Sequence, residues 1–153
     1  MKMYAKEWQQ IVPAEMSEVW DFFSRPENLN RITPEDMNFQ ILTNLEGLKM
    51  YPGILVQYVV RPLPFMKSNW ITEITAMNEH RYFIDEQRFG PFKFWHHQHH
   101  FKKVAEGVLM TDLLHYAIPI GFLGRLAHTI LVNKRIDDIF TYRKKIIEDI
   151  FTR

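Results

Sequence analysis

Apolar and polar residues alternate loosely over residues 3–12, where Tyr4, Trp8 and Ile11 mark a first strand that Pro13 ends. Over 14–23 the spacing becomes helical, with Met16, Val19, Trp20 and Phe23 on one side, so a short helix follows with Pro13 tolerated at its start. A second short helix is expected over 26–32, because Ser24 offers an N-cap and Pro34 disfavours continuation past Thr33. From Phe39 the pattern returns to strands, expected over 39–44, 54–61, 67–77, 81–89, 92–104 and 109–118. Pro52-Gly53, Pro62-Leu63-Pro64, Asn78-Glu79, Gly90-Pro91 and Glu106-Gly107 separate them, and links this short imply an antiparallel meander. After Pro119-Ile120-Gly121 the period changes to 3.6, with Leu123, Leu126, Ala127, Ile130, Ile136, Ile139, Phe140, Ile146, Ile147 and Ile150 forming an apolar stripe. Neither proline nor glycine interrupts 125–153, which predicts one helix of about 30 residues, about 45 Å long. Such a helix needs a large concave partner. The expectation is an α+β fold: a curved seven-stranded antiparallel sheet around a long C-terminal helix, with two short helices after the first strand.

The strand phases sort the side chains into faces. Trp95, His97, His99 and Phe101 share one face of their strand, and Phe94, His96, Gln98 and His100 share the other. The apolar sets Ile54, Val56, Tyr58, Val60 and Trp70, Thr72, Ile74, Ala76 should face the helix. Phe83, Asp85, Gln87 and Phe89 join them, because Glu86 and Arg88 belong to the opposite set. If Glu106-Gly107 is a two-residue turn, Phe101 pairs with Asp112, His99 with Leu114 and His97 with Tyr116. A slip of one residue would bring Thr111, Leu113 and His115 inward instead. In the preferred register the interior mixes aromatic side chains with several polar ones. Each buried polar group left unpaired costs roughly 1–3 kcal/mol, whereas a few polar groups in an aromatic wall suit a small-molecule pocket.

The chain's 153 residues, 46% of them apolar, are enough for one sizeable domain core. Nineteen basic and 18 acidic residues give a net charge of +1, which argues against nucleic acid as the main partner. The lack of cysteine excludes disulfides, thiolate metal sites and cysteine nucleophiles. With no apolar leader over residues 1–7 and no stretch of membrane-spanning length, the expected location is cytoplasmic.

The run His96-His97-Gln98-His99-His100 is the most conspicuous local feature. His97 and His99 form a metal-ligand pair only if Asp85 or Asp112 converges on them; the alternative, and the expectation, is a pair of core histidines bonded to those carboxylates, with no metal and no cofactor. The same His/Asp groups fit acid–base catalysis, against a satisfied network that fixes strand register. His96 and His100 are expected to be solvated. So are Lys134, Arg135, Arg143, Lys144 and Lys145, although Arg143 has the option of reaching a carboxylate near the pocket. The apolar turn 61–66, together with Ile120-Gly121-Phe122-Leu123, suits a mobile entrance or a homodimer contact.

Several segments together carry a family likeness: Val19-Trp20-Asp21-Phe22-Phe23, Pro26-Glu27-Asn28-Leu29, Ile32-Thr33-Pro34, Phe83-x-Asp85-x-Gln87, Gly90-Pro91-Phe92, Trp95-x-His97-x-His99-x-Phe101, Asp112-x-x-x-Tyr116, Pro119-x-Gly121 and Phe140-x-x-Arg143. In these the chain resembles the START-like (SRPBCC) superfamily, which includes birch pollen allergen and polyketide cyclase relatives, and within it a bacterial branch. The resemblance implies a helix-grip fold with a cavity between sheet and helix. It also implies binding of lipids, aromatic polyketides or other apolar small molecules, with cyclisation or dehydration in a minority of members. The expected ligand-binding set is Tyr58, Trp70, Phe83, Asp85, Gln87, Trp95, His97, His99, Phe101, Asp112 and Tyr116, of which Asp85, His97 and His99 would be catalytic in an enzyme. A protein-interaction module with a vestigial cavity is the remaining alternative.

Overall fold

A computed structural model describes residues 1–119, 126 and 128–152. Strand β1 (Tyr4–Val12) leads through a tight turn into helix α1 (Met16–Phe23). Two 3-10 turns follow, Pro26–Ile32 and Glu35–Met37. Next come β2 (Gln40–Ile41), β3 (Leu55–Leu63), β4 (Met66–Asn78), β5 (Tyr82–Phe89), β6 (Phe94–Val104) and β7 (Gly107–Ala117). A π-turn, His128–Val132, precedes helix α2 (Asn133–Phe151). The strands form one sheet in the order β1-β7-β6-β5-β4-β3-β2, every pair antiparallel. Among the described residues no helix is long and apolar enough to cross a membrane.

Helix α1 buries Val19, Trp20, Phe22 and Phe23 in only eight residues. Trp20 meets Phe83 and Phe101 edge-on, at 6.2 and 5.4 Å between centroids, so the helix closes one end of the concave sheet. Ser24 ends α1, its N–H donating to the Trp20 carbonyl, and Arg25 rather than Ser24 is the N-cap of the following turn. That segment is a 3-10 turn, and a further one follows Pro34 where none was expected.

On α2, Ile136, Phe140, Arg143 and Ile147 form the buried seam, at the spacing of a helix face laid on a sheet. Phe140 stacks on Trp8 at 3.7 Å. Lys6 Nζ pairs with Asp137 Oδ1 at 2.6 Å and Gln10 donates to the Lys144 carbonyl at 2.8 Å, fixing α2 along β1. Of the long helix expected over 125–153, the described part is the π-turn His128–Val132 leading directly into the α-helix Asn133–Phe151. Residues 120–125, 127 and 153, and with them Leu123, Ala127 and the Ile120-Gly121-Phe122-Leu123 segment, lie outside the described residues.

Two bulges reshape the middle of the sheet. Ile71 pairs with Phe89 but Thr72 pairs with Gln87, leaving Arg88 as an extra residue; Ile74 pairs with Asp85 but Ala76 pairs with Ile84, leaving Thr75 as another. Each bulge bends its strand and reverses the faces beyond it. Phe89 therefore stands exposed instead of inward, and Met77, not Ala76, comes opposite Phe83. Strand β3 continues through Pro62, and the turn to β4 is Pro64-Phe65, later than expected. Strand β2 keeps only two of its six expected residues.

The turn between β6 and β7 is Ala105-Glu106, with Gly107 opposite Val104. Moving the turn back by one residue moves every partner by two: His99 faces Asp112, His97 faces Leu114, Trp95 faces Tyr116 and Phe101 faces Met110. Because side chains alternate with a period of two, the inward set survives this shift while its neighbours change.

Candidate functional site

Between the concave sheet and α2 lies a cavity of about 470 Å³. Val56, Tyr58 and Val60 from β3, Trp70, Thr72 and Ile74 from β4, and Phe83 from β5 line it, roofed by Ile136, Ile139 and Phe140 of α2. Tyr58 stacks on Trp70 at 5.7 Å, and Trp70 meets Trp95 edge-on at 5.2 Å, so aromatic rings form a continuous wall.

Of the expected set, Tyr58, Trp70, Phe83, Asp85, Trp95, His97 and His99 line the cavity. The other four do not. Gln87 clamps the loop beside it, its Nε2 donating to the Phe92 carbonyl at 2.7 Å while its Oε1 accepts from Phe92 N–H at 3.1 Å. It thus positions Phe92, a lining residue that the sequence reading left out. Phe101 packs beneath α1 against Trp20 and Phe23. Tyr116 is fully buried in a second cluster beside Tyr4 and Phe92, and burial, with the charge of Asp137, pushes its hydroxyl up to about 12. Asp112 lies directly behind the two histidines.

One end of the cavity is polar. Asp85 Oδ2 is 2.6 Å from His99 Nε2 and 3.4 Å from His97 Nδ1. Asp112 Oδ1 is 2.9 Å from His97 Nε2 and 3.1 Å from His99 Nδ1. The two imidazoles, 3.8 Å apart, are thus held between two carboxylates. Arg143, expected on a solvated helix face, is instead buried, with Nη2 3.5 Å from Asp112 Oδ1. Its place in the Phe140–Ile147 seam is the signal that marked it in the sequence. On the outer face, His96 is not free in solvent but pairs with Glu86 at 2.8 Å.

These charges settle one another. Burial works against ionised Asp112, yet the Arg143 charge and the two histidine hydrogen bonds hold its carboxyl well below the usual range. Asp85 is likewise lowered: burial opposes ionisation, and the charges of His97, His99 and Arg143 with the His99 hydrogen bond outweigh it. Burial also disfavours charged His99, but its hydrogen bonds to Asp112 and Asp85 prevail and raise its pKa. For His97 burial, reinforced by the charge on His99, wins and lowers it. Within this cluster of two carboxylates and one guanidinium, protonation is thus favoured on His99 and disfavoured on His97.

A pH optimum of stability follows. His99 contributes fully below 6.5, the free-histidine value, and loses its contribution as pH rises through its raised folded value. His97 does the reverse: below 6.5 the unfolded chain takes up a proton that the folded chain refuses, so stability declines on the acid side. Thermal melts should show greatest stability near pH 6.5 and a further fall below 3.8 as Asp85 and Asp112 protonate. The alkaline decline should disappear in His99→Asn; a wild-type melting temperature that is flat across the neutral range contradicts this assignment.

Asp85, His97 and His99 place three ligand atoms within 4.8 Å of one another, close enough to hold a cation after small shifts. Every ring nitrogen, however, already faces a carboxylate, and Arg143 adds positive charge alongside. What the arrangement does directly is present a rigid, hydrogen-bonded surface to one end of an otherwise apolar space.

The fold recurs in solved structures. TTHA0849 from Thermus thermophilus superposes with a TM-score of 0.70 at 15% identity, over 95% of each chain. Major latex-like protein 151 from Panax ginseng gives 0.71 at 16% identity over 99% of each chain. A point mutant of norcoclaurine synthase from Thalictrum flavum, in complex with a transition state analogue, gives 0.65 at 12% identity, over 97% of this chain and 96% of that one. At these identities the likeness is one of fold, the helix-grip arrangement of the START-like superfamily. No curated protein sequence matches the chain. The model of one family matches residues 12–140, from the end of β1 to the buried seam of α2, and the chain belongs to that family, described as polyketide cyclase / dehydrase and lipid transport.

Proposed function

We infer that the chain binds a hydrophobic or aromatic small molecule in the cavity between the sheet and α2. The observation that carries this reading is the cavity itself: about 470 Å³, walled by stacked aromatic side chains and polar at one end. Volumes of this order suit a small organic ligand, and an apolar wall with a few fixed polar groups is the usual composition of such sites. A folded chain gains nothing in stability from an unfilled space, because the lining side chains lose packing partners there.

A cavity-filling substitution tests it. Val60 is buried and lines the space, so Val60→Phe inserts a ring into the volume a ligand would occupy. An apolar fluorescent probe should bind the wild type with one-to-one stoichiometry and lose at least about tenfold in affinity for Val60→Phe, a change of about 1.4 kcal/mol. Probe binding equal in the two proteins would place the probe on the outer surface and end the reading.

Catalysis by a His/Asp pair is a second reading, favoured by the fact that Asp85, His97 and His99 all line the cavity. A substrate would have to displace a carboxylate from one ring nitrogen to receive its proton. Turnover lost in His99→Asn, with binding retained, would select this reading over simple binding.

A further inference from the structure

The sequence makes a metal at His97 and His99 conditional on a converging carboxylate, and Asp85 meets that condition. Asp85 pairs with His97 across β5 and β6, His99 lies two residues further along the same face, and all three residues line the cavity. One oxygen joins them: Asp85 Oδ2 is 3.4 Å from His97 Nδ1 and 2.6 Å from His99 Nε2. Asp112, behind the rings, takes the other nitrogen of each, its Oδ1 2.9 Å from His97 Nε2 and 3.1 Å from His99 Nδ1.

The two carboxylates therefore have different parts to play. When Asp112 accepts both outer N–H groups, the tautomers are set: His97 keeps its lone pair on Nδ1 and His99 keeps its lone pair on Nε2. Two lone pairs and a carboxylate oxygen then lie together on the inner side. One shared proton satisfies the short His99 contact but leaves the His97 lone pair 3.4 Å from an anion. A divalent cation satisfies all three groups at once.

The spacing is close to what such an ion requires. Ligands at about 2.0–2.1 Å from zinc in tetrahedral geometry stand about 3.3–3.4 Å apart. The His97–Asp85 pair is at that separation, the three ligand atoms lie within 4.8 Å of one another, and the His99–Asp85 contact has only to open from 2.6 Å. Both rings are held in advance, because Phe83 stacks on His99 at 4.1 Å and Phe140 meets His97 edge-on at 5.4 Å. Arg143 does not forbid a cation. Its ion pair is with Asp112, and with neutral imidazoles the two carboxylates outnumber the one guanidinium, so the cluster carries net negative charge. Arg143 Nη2 is also further from His99 Nδ1, at 3.4 Å, than Asp112 is. Two imidazoles with one carboxylate suit zinc and its first-row neighbours, whereas magnesium and calcium favour all-oxygen sites.

We propose that Asp85 Oδ2, His97 Nδ1 and His99 Nε2 bind one divalent ion of the zinc class, with Asp112 orienting both histidines from behind and a fourth coordination position left toward the cavity. This site goes beyond the binding reading above and does not depend on it. The stability optimum near pH 6.5 is that of the metal-free chain.

The untagged chain, stripped with a chelator, is titrated with Zn²⁺ by calorimetry and followed through its histidine ring resonances by NMR. One equivalent should bind, with a dissociation constant of about 1 μM or tighter. The His97 and His99 resonances should move while those of His96 and His100, on the outer face, stay in place, and excess Mg²⁺ should not compete. Asp112→Asn, which removes the orienting charge, should weaken binding about 10–100-fold, and Asp85→Asn, which removes a ligand, at least as much. His96→Ala should leave the affinity unchanged. If the two aspartate variants do not fold, the wild-type resonances and the Mg²⁺ competition decide. Absence of saturable Zn²⁺ binding overturns the proposal, as does an affinity unchanged in folded Asp85→Asn. Shifts confined to His96 and His100, or equal competition by Mg²⁺, would place the ion on the outer surface or on carboxylates alone and overturn it too. The apolar probe reports on the cavity separately, so its binding to the stripped chain keeps the binding reading intact when the metal site fails.

Discussion

Asp112→Ala should destabilise the folded chain by about 3–5 kcal/mol, the range for removing one partner of a buried ion pair. A single oxygen, Oδ1, stands within 2.9 Å of His97 Nε2, 3.1 Å of His99 Nδ1 and 3.5 Å of Arg143 Nη2. Its loss strands the buried guanidinium, because Asp112 is the only carboxylate paired with Arg143 among the described residues. Each of the two histidines simultaneously loses one of the two carboxylates between which it lies. The cost comes chiefly from the unpaired charge, so it should not be additive with removal of that charge. The double variant Asp112→Leu with Arg143→Met should be more stable than Asp112→Ala, since neither replacement leaves an ion behind. Chemical denaturation of the three proteins checks both statements. A loss below about 1 kcal/mol for Asp112→Ala, the size expected of an exposed pair such as Lys134–Asp138, would show that the network is solvated and not buried.

How much of this network was legible in the sequence depends on which periodicity carried each residue. The inward placement of His97, His99 and Asp112 follows from strand alternation, which tolerates an error of two in register. Their contact does not follow from it. With the turn placed at Glu106-Gly107, Asp112 would lie beside Phe101 and His99 beside Leu114, and only the turn at Ala105-Glu106 sets Asp112 against His99. Arg143 was open to a different reading because it continues the helical seam of Ile136, Phe140 and Ile147; a basic residue on an apolar stripe is the signal of a buried partner. The reversed faces of Phe89 and Ala76 had no such signal. The extra residues at those bulges are Arg88 and Thr75, and neither side chain marks an interruption in the way a glycine or proline does. Likewise the helix over residues 26–32 became a 3-10 turn, in a segment where only Pro26 and Ile32 are buried.

The second large effect should come from the residue that sets the β6–β7 register. Gly107 begins β7 at φ +135, a conformation that L side chains rarely adopt, and a Cβ there would lie 2.1 Å from the Val12 carbonyl oxygen and 3.0 Å from Pro13 Cα. Both obstacles are backbone, so no rotamer change relieves them. Gly107→Ala therefore combines backbone strain, about 1–3 kcal/mol, with overpacking of similar size, and a total of roughly 3–5 kcal/mol is expected. The chain has one alternative to accepting this cost: it can change the length of the turn, and the register slipped by one residue that results would turn Asp112 outward and leave Arg143 buried without its carboxylate. Because that escape carries the penalty of the Asp112 deletion, the strained native register should persist in whatever fraction of Gly107→Ala still folds. Denaturation should show the loss of stability, and the folded fraction should keep the pH optimum near 6.5 that the His97 and His99 network confers. Near-wild-type stability would mean that β1 and β7 separate easily at Val12, contrary to the close approach seen there. A folded variant with no optimum would instead mean that the turn had slipped and that the register, not the glycine, is the adjustable element.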